Sequence, residues 1–242
     1  MPRVAAEPGG SESAGILRYG AELVRRHGVL LAFVFAGLLL PLWVFGELAD
    51  EIHEQEAIAF DEPILQFAHT MAREGFNEFF VFVSKIGYAW GVVPFDIAFV
   101  LVLAVLRRYR EAVFSAIALG GSGLLNVGAK LFFARDRPSL WESIAPETTY
   151  SFPSGHAMGS MTLACVLVLL AWHTRWRWAV LALMVPFVVV VGLSRVYLGV
   201  HYPSDIVAGW SVAVAWVAAV YLAVYRVHGR PWKRREISAD AD

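Results

Sequence analysis

A single cysteine, Cys165, stands in the 242 residues of the chain. That excludes an internal disulfide and any cysteine pair for metal or redox chemistry. Lying inside an apolar run, it reads as a small buried hydrophobe. Charge is scarce too: 17% of residues are charged against 58% hydrophobic, where water-soluble domains carry about 25% charged. This deficit and a mean hydropathy of +0.57 argue against a water-soluble domain and for a membrane protein. The formal net charge of −1 says little about partners, because the charges are sorted by side, and no nucleic-acid partner is expected. No internal repeat or low-complexity stretch is visible.

What is abundant is apolar sequence. Six segments, at about 29–45, 89–106, 113–133, 156–172, 179–193 and 206–225, approach the ~20 residues that a bilayer core requires. The expected fold is all-α: a six-transmembrane helical bundle over 29–226, between an N-terminal tail at 1–28 and a C-terminal tail at 227–242. The first segment follows a polar tail, and the "GELADEIHEQE" after it offers no cleavage site, so it does not read as a signal peptide. With the N-terminus placed in the cytoplasm, fourteen of the twenty Lys and Arg residues fall on the inner side. The positive-inside rule then puts both termini in the cytoplasm. Trp172, Trp176 and Trp178 around Arg175 and Arg177 fit an interfacial aromatic belt.

Three compact motifs lie at the outer helix ends. In "KLFFARDRP", Lys130 and Arg137 are seven residues apart, about 700° of helix. They would share a face if the helix continued to Pro138, which stops it; taken alone, the favoured reading is a snorkelling Lys and an interfacial Arg. In "YSFPSGHAMGSM", Ser154 and Gly155 precede a helix whose first N–H groups lack acceptors, a ready site for phosphate. An ordinary Ser cap would look the same but would not explain His156. In "SRVYLGVHYPSD", His201 and Asp205 are four apart, so the carboxylate could hold one imidazole nitrogen and leave the other as a nucleophile. Arg195 adds a cation; the plainer reading is that Asp205 favours a helix N-terminus and His201 is a loop residue. Together the motifs collect three cations, a hydroxyl, free N–H groups and two imidazoles. That inventory suits a phosphate, with one imidazole attacking phosphorus and the other protonating the leaving oxygen. No carboxylate cluster there suggests a metal, so chemistry without metal or cofactor is expected.

The ordered set Lys130-x6-Arg137-Pro138, Pro153-Ser154-Gly155-His156 and Ser194-Arg195-x5-His201-x3-Asp205 resembles the signature of the type 2 phosphatidic acid phosphatase family. That superfamily also includes vanadium-dependent haloperoxidases. The resemblance spans about 60–225 and is complete at every signature position. It implies a helical phosphatase in which His201 forms a phosphohistidine, Asp205 orients it, and His156 protonates the departing alkoxide and later activates water. Lys130, Arg137, Ser154, Gly155 and Arg195 would hold the phosphate oxygens. The expected partner is a membrane lipid phosphate or diphosphate of the phosphatidate, phosphatidylglycerol phosphate or undecaprenyl diphosphate type. The expected location is a bacterial cell membrane, with the site facing away from the cytoplasm.

Two other readings use the same residues: a phosphatase or haloperoxidase of soluble substrates, and a non-enzymatic lipid-phosphate transporter. Six spans argue against the first. Charge gathered at one end of the helices, rather than deep within them, argues against the second. Asp96 falls inside the second segment, where a carboxylate is costly, and a hydrogen-bonded pair with Asn126 is expected. The acidic stretch at 50–80 reads as an amphipathic helix on the outer face. His53 beside Glu51 and Glu54 is not expected to bind a metal.

Overall fold

The computed structural model describes residue 25 and residues 27–228. Apart from residues 25, 27, 28, 227 and 228, the two expected tails lie outside the described residues. Among these, eight helices follow one another: α1 His27–His53, α2 Asp61–Thr70, α3 Glu74–Ile86, α4 Val92–Val105, α5 Tyr109–Phe133, α6 Gly155–Ala171, α7 Arg177–Tyr197 and α8 Pro203–His228. All six apolar segments are helical. Four helices, α1, α5, α7 and α8, are long and apolar enough to cross a membrane. The other two, α4 and α6, have 14 and 17 residues, about 21 and 26 Å at 1.5 Å per residue. The second segment is shorter than 89–106 because its first residues form a turn. A side chain at Gly91 would come within 2.2 Å of the Ile86 carbonyl oxygen.

Large apolar side chains on these helices face outward, among them Val105 (81% exposed), Leu124 (77%), Leu131 (68%) and Phe132 (73%). In water this would be an interaction surface of unusual extent; against lipid tails it costs nothing. The chain is an integral membrane protein by this surface and by the four long apolar helices. Inside α1 the backbone widens to a π-helical turn at Phe35–Leu39. Just beyond it, Pro41 has no N–H to donate to the carbonyl four residues back.

Helices α6 and α8 form the centre, packed on each other and flanked by α1, α5 and α7. One core cluster joins Phe114 and Ala118 of α5 to Val166 of α6 and Val217, Val220 and Tyr225 of α8. The antiparallel order of α5 to α8 brings the end of α5, the start of α6, the end of α7 and the start of α8 to one end of the bundle.

The stretch at 50–80 is not one outer helix. It is the end of α1, a turn in which Gln55 takes a positive φ of 58°, then α2 and most of α3. Its acidic residues do not all face outward either. Asp61, at the start of α2, is only 2% exposed, and Leu65 one turn on is fully buried. Helix α2 packs on α7 and α8, so a face that reads as polar is anchored by a buried carboxylate.

Candidate active site

Helix α5 stops well before Pro138. Ala134 adopts a left-handed φ of 45°, and its N–H closes the last turn on the Lys130 carbonyl at 3.0 Å. Lys130 and Arg137 therefore do not share a helix face, as they would have had the helix continued. They meet because residues 134–154 fold back over the helix end. Lys130 donates its ammonium to the Tyr150 carbonyl. Arg137 donates from Nε to the Thr149 carbonyl at 2.6 Å, from Nη1 to the Val200 carbonyl at 2.6 Å, and from Nη2 to Glu147 Oε2 at 2.8 Å. Its Nη1 also lies 3.2 Å from Nε2 of His201. One guanidinium thus ties the loop after α5 to the loop before α8.

Ser154 is the N-cap of α6: its Oγ accepts from the Ala157 N–H at 3.5 Å, and its own N–H donates to the Asp205 carbonyl at 3.0 Å. Gly155 opens the helix where any larger residue would meet α5, since a Cβ there would sit 3.0 Å from Asn126 Oδ1. His156 follows, its ring tilted against that of Tyr88 with centroids 4.9 Å apart.

Arg195 comes from the last turn of α7 and is 1% exposed. It donates Nη1 to Ser84 Oγ of α3 and Nη2 to Glu147 Oε1, while its Nε has no partner among the described residues. After α7 the chain turns at Gly199, whose φ of +67° suits glycine and whose missing Cβ leaves room for Trp141, 2.6 Å from where that atom would be. This turn delivers His201, which is 1% exposed. Its Nδ1 lies 3.3 Å from Asp205 Oδ2 and equally far from Ser151 Oγ.

Arginine has only donors to offer, so Nε2 of His201 accepts from Arg137 and the ring proton sits on Nδ1, facing Asp205. Burial first, and then the charges of Arg195, Arg137 and Lys130, hold the imidazole pKa well below 6.5. The ring is therefore neutral, with its lone pair on Nε2. This is the form a nucleophile needs.

Several residues at this site have no place in the sequence reading. Glu147 lies between Arg137 and Arg195, and its Oε1 is 3.8 Å from His156 Nδ1. Burial alone would raise its pKa, but Arg195, Arg137 and Lys130 outweigh that and hold it below 4.5. It is ionised and takes the place an anionic ligand would. Ser151 donates to Asp205 Oδ2, as does the Tyr202 N–H at 2.9 Å. Arg135 donates to Asp205 Oδ1 at 2.6 Å, and Asp61 joins it from α2. Arg135 stands two residues before Arg137 among the outer cations, which was the available signal. Glu147 had none.

The expected Asp96–Asn126 pair does not form. Asn126 uses its amide N–H group on the Pro153 carbonyl, at 3.1 Å. Both residues line a cavity of about 70 Å³ between α4, α5 and α6, in which Asp96 Oδ1 is buried with no partner among the described residues.

The same arrangement of helices occurs in proteins of known identity. The PAP2 superfamily model matches residues 111–228. Phosphatidylglycerophosphatase B of Bacillus subtilis is 28% identical over 175 residues, covering 69% of this chain and 84% of that protein. Undecaprenyl-diphosphatase of Sulfolobus acidocaldarius is 29% identical over 204 residues, 82% of this chain and 94% of that one. Among solved structures, the transmembrane PAP2 type phosphatidylglycerolphosphate phosphatase of Bacillus subtilis superposes with a TM-score of 0.65 at 26% identity, over 74% of this chain and 93% of that one. LpxE of Aquifex aeolicus, at 20% identity and a TM-score of 0.57 over 67% and 95% of the two chains, shares the fold.

Proposed function

We propose, from the premise that residues 111–228 match the PAP2 superfamily model, that the protein is an integral-membrane lipid phosphatase. It removes the terminal phosphate of a lipid phosphate or diphosphate, of the phosphatidylglycerol phosphate, phosphatidate or undecaprenyl diphosphate type. The names of its relatives support the phosphatidylglycerol phosphate and undecaprenyl diphosphate types. The protein crosses a cell membrane six times, α4 and α6 included, with both termini in the cytoplasm and the site on the outer face. The sorting of Lys and Arg along the sequence supports that topology.

Nε2 of His201 attacks phosphorus. The P–O bond to the leaving group breaks as the N–P bond forms, and Asp205 stabilises the positive charge that develops on the ring. His156 gives its proton to the leaving oxygen and later takes one from the water that attacks the phosphohistidine. Lys130, Arg137, Arg195, the Ser154 hydroxyl and the Gly155 N–H hold the phosphate oxygens, where the cations balance charge developing in the transition state. A phosphate bound there takes over the guanidinium bonds now made to Glu147. The observation that carries the reading is the placement of His201: a buried imidazole with Nδ1 3.3 Å from the Asp205 carboxylate and Nε2 3.2 Å from the Arg137 guanidinium.

The test is phosphate release by purified protein from the three lipids in the presence of a chelator, with radiolabelled phosphoenzyme trapped by an alkaline detergent quench, in which an N–P bond survives. We expect turnover of at least one lipid, and label on the wild type that is absent from His201→Ala. Silence on all three lipids, or a phosphoenzyme that survives His201→Ala, would overturn the proposal. In sealed right-side-out vesicles, an outer-leaflet substrate should need no detergent. Labelling of the 151–156 segment from the cytoplasmic face would refute the topology.

A further inference from the structure

We infer that Arg135, gripped by Asp61, is a positioning residue for the nucleophile: it fixes the Asp205 carboxylate so that Oδ2 faces Nδ1 of His201. The inference rests on the phosphatase reading above and assigns a role to a residue at an unassigned position of the first motif and to Asp61, which lies outside the motifs.

The two oxygens of Asp205 have separate duties. Oδ2 receives the Ser151 hydroxyl and the Tyr202 N–H and faces His201 Nδ1. Oδ1 receives Arg135 Nη1 at 2.6 Å. Asp205 has no solvent exposure, so no bulk water can replace that bond. The carboxylate torsion is soft. With Oδ1 unpartnered, the group would rotate to recover a donor or lose its charge, and in either case His201 Nδ1 would lose its orienting acceptor.

Arg135 is itself held on three sides. Nη2 pairs with Asp61 Oδ2 at 2.9 Å, Nη1 also donates to Ser204 Oγ at 2.8 Å, and the guanidinium lies 4.0 Å from the centre of the Tyr202 ring. Asp61 in turn accepts from the Ser204 N–H at 2.8 Å and the Ser204 hydroxyl at 2.6 Å. Those two bonds suffice to dock α2 on the start of α8. A clamp needed only for packing would end there. The guanidinium instead bridges two buried carboxylates, which without it would repel each other, and aims one donor at the oxygen of Asp205 that His201 does not use. Lysine, a point charge with no planar fork, cannot reproduce that bridge.

The test uses the full chain in detergent, with Arg135→Ala, Arg135→Lys and Asp61→Asn assayed on phosphatidate and on p-nitrophenyl phosphate. Positioning of the nucleophile affects a step common to both substrates. Arg135→Ala should therefore lower kcat by about 10–100-fold, the usual cost of losing a partner that orients a ligand or catalytic group, equally on both and with KM unchanged. Millimolar guanidinium ion should restore part of that kcat in Arg135→Ala and none in the wild type, which a general packing defect would not show. Arg135→Lys should fall between the two. Asp61→Asn keeps an acceptor for the Ser204 N–H, so it should fold, and it should lower kcat less than Arg135→Ala, again at constant KM. Should Arg135→Ala fail to fold, Asp61→Asn decides: an unchanged kcat overturns the inference. A raised KM with kcat intact in Arg135→Ala also overturns it, because Arg135 would then bind phosphate itself. A wild type inert toward every phosphate defeats the phosphatase reading instead.

Discussion

Replacing Glu147 with Gln should tighten the binding of phosphate. In the resting protein this carboxylate accepts from Arg137 Nη2 at 2.8 Å and from Arg195 Nη2, and lies 3.8 Å from His156 Nδ1. A phosphate that engages the same two guanidinium groups must first displace it. Each such bond to a charged partner is worth about 1.5–3 kcal/mol net, whereas a neutral amide oxygen retains about 1 kcal/mol per bond. The carboxylate, once displaced, also stays close enough to repel the incoming anion, and the amide does not. With both bonds weakened from about 1.5–3 to about 1 kcal/mol each, the gain for phosphate is about 1–4 kcal/mol, a roughly 5–1,000-fold lower inhibition constant. The assay is competitive inhibition of p-nitrophenyl phosphate hydrolysis by inorganic phosphate, wild type against Glu147→Gln, with KM for the ester falling in parallel. An inhibition constant that stays the same or rises would refute the reasoning. Glu147 would then be holding the arginines in place for the phosphate, not competing with it.

The two histidines should separate by substrate: His201→Ala should lose both phosphatidate and p-nitrophenyl phosphate turnover. His156→Ala should lose about 10²–10⁴-fold on the alkyl ester and less on the nitrophenyl ester, whose leaving group needs no proton; equal losses would sink this assignment. Stability should be acid-sensitive through His201. Its folded pKa is depressed well below 6.5, so below pH 6.5 the unfolded chain binds a proton that the folded chain does not. Folding then weakens by about 1.4 kcal/mol per pH unit, and the drop in Tm between pH 7.5 and 5.5 should be smaller in His201→Gln. Gly199→Ala should lower Tm and kcat together. It places a Cβ at a φ of +67° and 2.6 Å from Trp141, costing about 1–2 kcal/mol from the backbone alone; unchanged values would show that the turn tolerates a side chain.

Hydropathy located every apolar helix, because a bilayer demands long runs of one chemical kind and little else produces them. Spacing was a weaker guide. The seven-residue interval between Lys130 and Arg137 would put them on one face of a continuous helix, but Ala134 turns left-handed and the loop brings the two together by another route. A backbone reversal at an alanine has no signature in composition. The clustering of the short motifs was legible because each sits beside a helix end that its neighbours announce, Ser154 before α6 and Pro203 at the start of α8. Asp61, Ser84 and Glu147 were not, because each reaches the site through tertiary contact from a segment that reads as ordinary polar surface. The Asp96–Asn126 pair failed for a related reason: equal depth in two helices does not show that a third group, here the Pro153 carbonyl, has claimed the amide.

Leu131 and Phe132, both turned outward, follow directly after Lys130. Covered by lipid tails, they bring the hydrocarbon boundary to within about 3 Å, along the helix axis, of the backbone of Lys130, a residue we propose holds phosphate. A lipid need not leave its leaflet to be cleaved. What the enzyme meets is then the fraction of the surface that its substrate occupies, not moles per litre. At fixed bulk lipid, diluting the substrate with inert detergent should slow turnover as though substrate had been withdrawn. Velocities from different micelles should fall on one curve only when plotted against surface mole fraction.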